Sequence, residues 1–220
     1  MKAGNCSYGC AKDVPSVIPV FPLPEALLLP RADMPLNIFE PRYLAMIDAA
    51  MSGNRIVGMV QIDEAAPACA RGPGLRKIGC AGRIVSYAET GDGRYMITLT
   101  GIARFRIMEE VAQHAPFRLC RVTAEPFAVD FDTAEQTIDR NAVLRAFRAY
   151  LAAHDLDADW ESVGRASNET LVNALAMMAP FGAAEKQALL EAPDLKARAE
   201  TLVAIAEMAI PRPGSGRTLQ

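Results

Sequence analysis

The chain is poor in the residues that most often build catalytic and metal centres. It has two histidines, His114 and His154, and neither stands at ligand spacing from a cysteine or carboxylate pair, so the sequence offers no zinc site. None of its five lysines closes a Gly-rich run, which leaves no loop of clustered backbone N–H groups backed by a lysine to hold a triphosphate. The seven serines lie in no recognisable nucleophile motif, so a serine activated by a lysine is not indicated. Five cysteines at unrelated spacings, Cys6, Cys10, Cys69, Cys80 and Cys120, argue against a disulfide framework and for a reducing compartment. No apolar run approaches bilayer length and the first residues lead into no signal-peptide core, so a cytoplasmic protein without a membrane partner is expected. No catalytic residue, metal or cofactor is expected.

What the chain has in quantity is apolar side chains, 51% of 220 residues, enough for one large packed domain or two modest ones. Charge is unevenly divided. Residues 1–130 hold 14 Lys+Arg against 13 Asp+Glu, residues 131–220 hold 9 against 13, and nine basic residues meet four acidic ones between Arg71 and Arg121. Such a basic stretch can attract phosphate or acidic protein, but few aromatics accompany it to stack bases, so it reads first as arginines alternating outward along strands and solvating one face. Asp155, Asp157, Asp159 and Glu161 lack the glycine turn and terminal glutamate of a calcium loop, and read as a solvated connection between helices. Met177 and Met178, beside Phe181, read first as helix packing, with an adaptable binding surface as the alternative.

The apolar period changes once. Residues 1–16 show no periodicity and read as a mobile tail. Over 17–130 short apolar runs, Val17 to Phe21, Leu36 to Phe39 and Ile56 to Gln61, alternate with Pro-rich punctuation and predict strands. One helix interrupts them, with Pro41 at its first position and Gly53 as a left-handed stop. Asp92-Gly93 predicts a hairpin between Gly79 to Ala88 and Arg94 to Met108, whose alternation buries one face and leaves Arg104 and Arg106 outside. Gly101 would let the second arm bend. From 131 to 210 the period becomes about 3.6, predicting four helices packed on the first part; Thr133 with Gln136 would cap the first, and 211–220 read as a tail.

Several blocks occur in an order that carries more information than any one of them. They are Ile18-Pro19-Val20-Phe21-Pro22-Leu23-Pro24, Met34-Pro35-Leu36-Asn37-Ile38-Phe39-Glu40-Pro41-Arg42-Tyr43, Ile78-Gly79-Cys80-Ala81-Gly82-Arg83-Ile84 and Gly101-Ile102-Ala103-Arg104-Phe105-Arg106-Ile107. Together they resemble the N-terminal, substrate-recognising domain of Lon proteases over roughly residues 17 to 209. The resemblance implies an α+β fold, a bent PUA-like pseudo-β-barrel with one inserted helix followed by a C-terminal helical bundle. It also implies a non-catalytic, stand-alone module that binds unfolded or exposed hydrophobic segments of client proteins, in company with a protease. Related barrels bind RNA, so an RNA-binding module using Arg83, Arg94, Arg104, Arg106, Arg118 and Arg121 is the alternative. A hydrolase assembled from scattered residues is a third.

Pro35, Phe39, Glu40, Pro41, Arg42, Gly79, Gly82 and Gly101 carry the resemblance and read as structural, since a domain-wide signature more often marks fold than site. Glu40 favours the positive end of the helix that follows, and Arg42 is placed to pair with it or with an acid of the barrel. Recognition is expected in the connections Pro30 to Met34 and Ala65 to Lys77, with Met34 and Leu75 as apolar contacts and Arg71, Arg76 and Lys77 as steering charges.

Overall fold

A computed structural model describes residues 1–67, 72–112, 114–132 and 136–210. The chain begins with a small hairpin, β1 (Lys2–Ala3) and β2 (Cys6–Ser7). The main strands follow: β3 (Val17–Pro22), β4 (Asp33–Ile38), β5 (Ile56–Asp63), β6 (Gly74–Glu89), β7 (Tyr95–Val111) and β8 (Arg118–Thr123), with helix α1 (Pro41–Met51) between β4 and β5. A 3-10 segment, Glu125–Phe131, leads to α2 (Arg140–Ala153), α3 (Trp160–Arg165), α4 (Asn168–Met178), α5 (Ala183–Glu191) and α6 (Leu195–Ala209).

The sheet runs β4-β7-β6-β5-β3-β8, and a further β7–β8 pairing closes the last five strands into a barrel. All pairings are antiparallel except β3 with β5. Strand β7 serves two neighbours on one side. Its first half takes β4, with Met34 opposite Leu99, and its second half takes β8, with Ile107 opposite Val122. A register shift where Ala81 and Gly82 face Ala103 and Gly101 marks the change, and such bulges bend and twist a strand as closure requires.

The bend divides the apolar residues of β7 between two cores. Ile97 and Leu99 pack with α1 and the helices, whereas Ala103, Phe105 and Ile107 fill the barrel with Ile18, Val20 and Cys120. Gly101 does more than permit a bend: a Cβ there would overlap the carbonyl oxygen of Leu29, and its own N–H and C=O bond to Ala32 O (2.9 Å) and from Arg31 N–H (2.8 Å). The connection to β4 is thus laid directly on β7. At Gly79 a Cβ would lie 2.5 Å from Met59 O and 2.7 Å from the Phe105 ring, so that interior site is also filled by backbone and ring.

Several local expectations are corrected. Residues 1–16 are not a loose tail: Ala3, Tyr8 and Val14 are buried in the barrel core, and the hairpin is held by Tyr8 N–H on Met1 O (2.9 Å). These apolar residues are too widely spaced to form a period. Helix α1 does begin at Pro41, but Gly53 keeps a negative φ and the left-handed residue is Arg55, φ 62°. Helix α2 is capped by Asp139, whose carboxylate accepts from Ala142 N–H at 2.8 Å. Thr133 lies outside the described residues, and the Gln136 side chain instead accepts from Leu195 N–H at 3.0 Å. The five-residue hairpin connection 90–94 places positive φ at Gly91 and Gly93, flanking Asp92. The tail expected over 211–220 and the steering residue Arg71 lie outside the described residues.

The largest correction concerns the arginines. Arg104, Arg83 and Arg118 are buried. Arg104 holds Asp130 through Nε and Nη2 (2.7–3.1 Å) and donates to the carbonyls of Leu190 (3.2 Å), Ala192 and Pro193 (3.1 Å). The bulge beside Gly101 breaks strict alternation, which is why a residue of the outward parity turns into the molecule. Arg83 donates to Asn54 O (2.6 Å) and Asn5 (2.9 Å), and Arg118 pairs with Glu110 (2.6 Å).

Candidate functional site

Helices and barrel are joined by polar contacts as well as by a shared apolar core. Arg31, at φ 64°, makes a two-pronged pair with Glu169 of α4 (2.7 and 2.6 Å) and donates to Asp130 O (2.6 Å). Asn173 of α4 donates to Pro30 O (3.0 Å) and accepts from Arg198 of α6 (3.2 Å). Burial, then the nearby Arg104 charge, brings Arg198 down to about 10, still protonated at neutral pH. These contacts fix where α4 stands.

Beside α4 lies an open apolar cavity. Helix α2 presents Phe147, Tyr150 and Leu151 on one stripe and stops at His154; Asp155, φ 54°, turns the chain, and Leu156 N–H returns to Leu151 O at 2.9 Å. The short α3 follows, and Ser167 then caps α4 by accepting from Thr170 N–H at 3.2 Å. The three helices enclose about 560 Å³, with Phe147, Tyr150, Leu171 and Leu175 buried at its floor. Small residues explain why the space is not filled: Ala158, Ala166, Ala174 and Ala179 occupy wall positions where longer side chains would interdigitate. Leu156 and Met178 stand at the mouth, 47% and 81% exposed. The aspartates Asp157 and Asp159 also line it, and among the described residues no lysine or arginine does.

A second cleft of about 300 Å³ shares Thr170, Ala174 and Met178 with the first and runs to Arg31 and Asp33 on the barrel lip. Met178 therefore forms a ridge between the two. Sequence reading favoured packing for the Met177-Met178 pair; Met177 is partly buried, but Met178 is solvent-facing. The acids of 155–161 predict a solvated connection where the structure begins α3 (Trp160–Arg165), so the linear pattern gives the cavity no third wall. Its available signal was Leu156, Ala158 and Trp160 interleaved among acids.

The residues expected to make contacts are placed differently. Met34 lies within β4 and Leu75 near the start of β6, both partly buried, so neither stands on a long irregular loop. Arg76 pairs loosely with Asp63 (3.8 Å), and Lys77 is exposed in the same strand. Glu40 and Arg42 pair on the surface (2.8 Å), where Arg42 also covers the Tyr43 ring. Phe39 is 61% exposed with Arg94 over its ring at 5.9 Å, not packed inside. Pro35 sits opposite Thr98, and Gly82 beneath Leu28. Among the described residues no group of three or more His, Cys, Asp or Glu is placed to hold a metal, and no helix is long and apolar enough to cross a membrane.

The fold is thus a bent, closed barrel carrying a helical bundle, with an apolar groove open on the helical face. The profile of the ATP-dependent protease La (LON) substrate-binding domain matches residues 17–207, and the chain belongs to that family. The match is to a substrate-binding domain. Among curated relatives, Lon protease 2 of Myxococcus xanthus is 28% identical over 199 residues, and Lon protease of Anaeromyxobacter dehalogenans 27% over 195 residues, each covering 85% of this chain. The chain spans only 23% and 22% of their lengths. The fold is also that of a Lon N-terminal domain protein from Xanthomonas campestris, with TM-score 0.60 at 22% identity and coverage of 86% of this chain and 97% of that one. The N-terminal domain of a Mycobacterium avium complex Lon protease gives TM-score 0.61 at 18% identity, with 87% and 98% covered.

Proposed function

We propose that this chain is a non-catalytic recognition module of the cytoplasm that binds unfolded or exposed hydrophobic segments of client proteins and acts together with a protease. The observation that carries the reading is the open cavity of α2, α3 and α4, an apolar floor with Leu156 and Met178 uncovered at its mouth. Apolar surface left in water at a concave site is stabilised by covering it, and burying one Leu or Met side chain contributes about 1.5–3 kcal/mol. Membership of a substrate-binding family supports the same reading. RNA binding draws little support from the arginines, because Arg83, Arg104 and Arg118 turn inward and Arg94 and Arg121 pair with Asp92 (3.2 Å) and Glu109 (2.8 Å), although Arg106 is exposed as that alternative expects.

The test is fluorescence anisotropy with a reduced, carboxymethylated protein as a permanently unfolded ligand. Leu156→Asp with Met178→Asp should weaken binding at least tenfold at unchanged circular dichroism, whereas Leu75→Ser should bind nearly as the parent does. Unaltered binding by the groove variant would refute the assignment. Tight binding of RNA instead, lost steeply as salt rises, would replace it.

A further inference from the structure

We infer that the open edge of β4 takes up an extended client segment as an added strand, holding it by its backbone. This rests on the recognition reading above for the class of client and adds a second contact, which a different measurement tests. The sheet order leaves β4 at one end, paired only with β7, whereas the strand at the other end, β8, closes on β7. The barrel therefore leaves the outer side of β4 uncovered. Two observations fix which backbone groups face that side. Gly101 N–H donates to Ala32 O at 2.9 Å, and antiparallel pairs alternate from there, so Met34, Leu36 and Ile38 exchange hydrogen bonds with Leu99, Ile97 and Tyr95. Pro35, which has no N–H, falls on the other parity, opposite Thr98, where the ladder to β7 needs no donor. The N–H groups of Asp33 and Asn37 and the carbonyls of Asp33, Pro35 and Asn37 thus point away from β7, on residues that are all exposed. Among the described residues none of these groups meets another partner.

The edge also fits a particular pattern of side chains. Met34 and Leu36 pack on the main core from the inner face but are only partly buried, because no strand stands beside them. An added strand would set its own alternate side chains next to theirs, so the segment it fits is apolar at every second residue, with β-branched or aromatic side chains favoured. Along the six residues of β4 such a strand would run about 20 Å. The edge is continuous with the groove: Asp33, its first residue, lines the cleft of about 300 Å³ that shares Thr170, Ala174 and Met178 with the cavity of α2, α3 and α4. A chain leaving the groove over Met178 meets the start of β4. Pairing through the backbone suits clients that share exposed apolar chain and no common sequence. Pro35 withholds one donor in mid-edge, which weakens indiscriminate pairing and leaves the carbonyls in place.

The experiment uses the full chain and a fluorescein-labelled peptide of alternating valine and threonine with lysine at each end. Two further versions are N-methylated, one on every valine and one on every threonine. A strand pairs through the N–H groups of one edge, so methylation of one set should weaken binding at least about tenfold and of the other by less than about twofold. Nuclear magnetic resonance should show the Asp33 and Asn37 amides exchanging slowly with solvent only when the unmethylated peptide is bound. Asn37→Pro, at a parity where Pro35 already stands, should weaken that peptide at unchanged circular dichroism. Equal effects of the two methylations, or no slowing of the two amides, would overturn the edge and leave the groove to its own test with carboxymethylated protein. Slowed amides together with unaltered carboxymethylated-protein binding by the Leu156→Asp with Met178→Asp variant would uphold the edge and refute the groove. No binding of the unmethylated peptide would overturn the edge. A concentration-dependent dimer in sedimentation, abolished by Asn37→Pro, would make a second copy the occupant and overturn it as well.

Discussion

Replacing Asp130 with alanine probes how the two halves are joined. Arg104 and Asp130 are 1% and 6% exposed, and one carboxylate satisfies Arg104 Nε, Nη2 and the Arg104 backbone N–H, the last at 2.8 Å. Removing it leaves a buried guanidinium facing an apolar gap, a change that costs about 3–5 kcal/mol. Against a total stability on the order of 5–15 kcal/mol this is a large fraction. In urea, with an m-value of roughly 2 kcal/mol/M, the midpoint should fall by about 1.5–2.5 M. The double substitution Arg104→Met with Asp130→Leu removes the charge along with its partner and should cost less than the two single substitutions summed. It should not return to the parent, because the carbonyls of Leu190, Ala192 and Pro193 lose their donor. Trp160, the single tryptophan, reports the helical half by fluorescence, and far-ultraviolet circular dichroism reports the whole chain. If the pair couples the halves, the two probes coincide in the parent and separate in Asp130→Ala. A loss below about 1 kcal/mol, or strictly additive singles, would refute the argument.

Gly101→Ala should lower the melting temperature by several degrees without abolishing folding, since displacing the Leu29 carbonyl is an overpacking change of about 1–3 kcal/mol; scanning calorimetry checks it. Burial holds the Cys80 thiol far above its ordinary value, and burial followed by the Glu110 charge lifts Cys120 to about 11. Iodoacetamide at pH 8 should therefore label Cys6 and Cys10 readily and spare Cys80 and Cys120 until urea unfolds the chain, as peptide mass mapping would report.

Strands and helices were legible wherever one period governed a segment. Pro41 to Met51, Asn168 to Met178 and Ala183 to Glu191 stand where their apolar spacing places them, and the ordered blocks around Pro35 and Gly79 pointed to the barrel. The failures share a cause: each depends on a contact between distant residues. Arg104 looked outward because its neighbours alternate, yet the bulge at Gly101 and the carbonyls beyond residue 189 decide its direction. Ala3, Tyr8 and Val14 carry no period, so only the barrel core reveals what they cover. The groove is made by small residues from separate helices, and a missing side chain leaves no mark in a linear pattern.

Strand β3 stands between β5 and β8, and Val20 is paired with Arg118. During synthesis at roughly 5–20 residues per second, β3 leaves the ribosome several seconds before the strand that covers its outer side exists. For that interval the nascent chain carries an open strand beside other growing polypeptides. Pro19, opposite Leu119 in the finished barrel, has no amide hydrogen to offer a stranger, and Pro22 ends the same strand in the same way. The two prolines of β3 thereby also guard an unfinished molecule against the wrong neighbour.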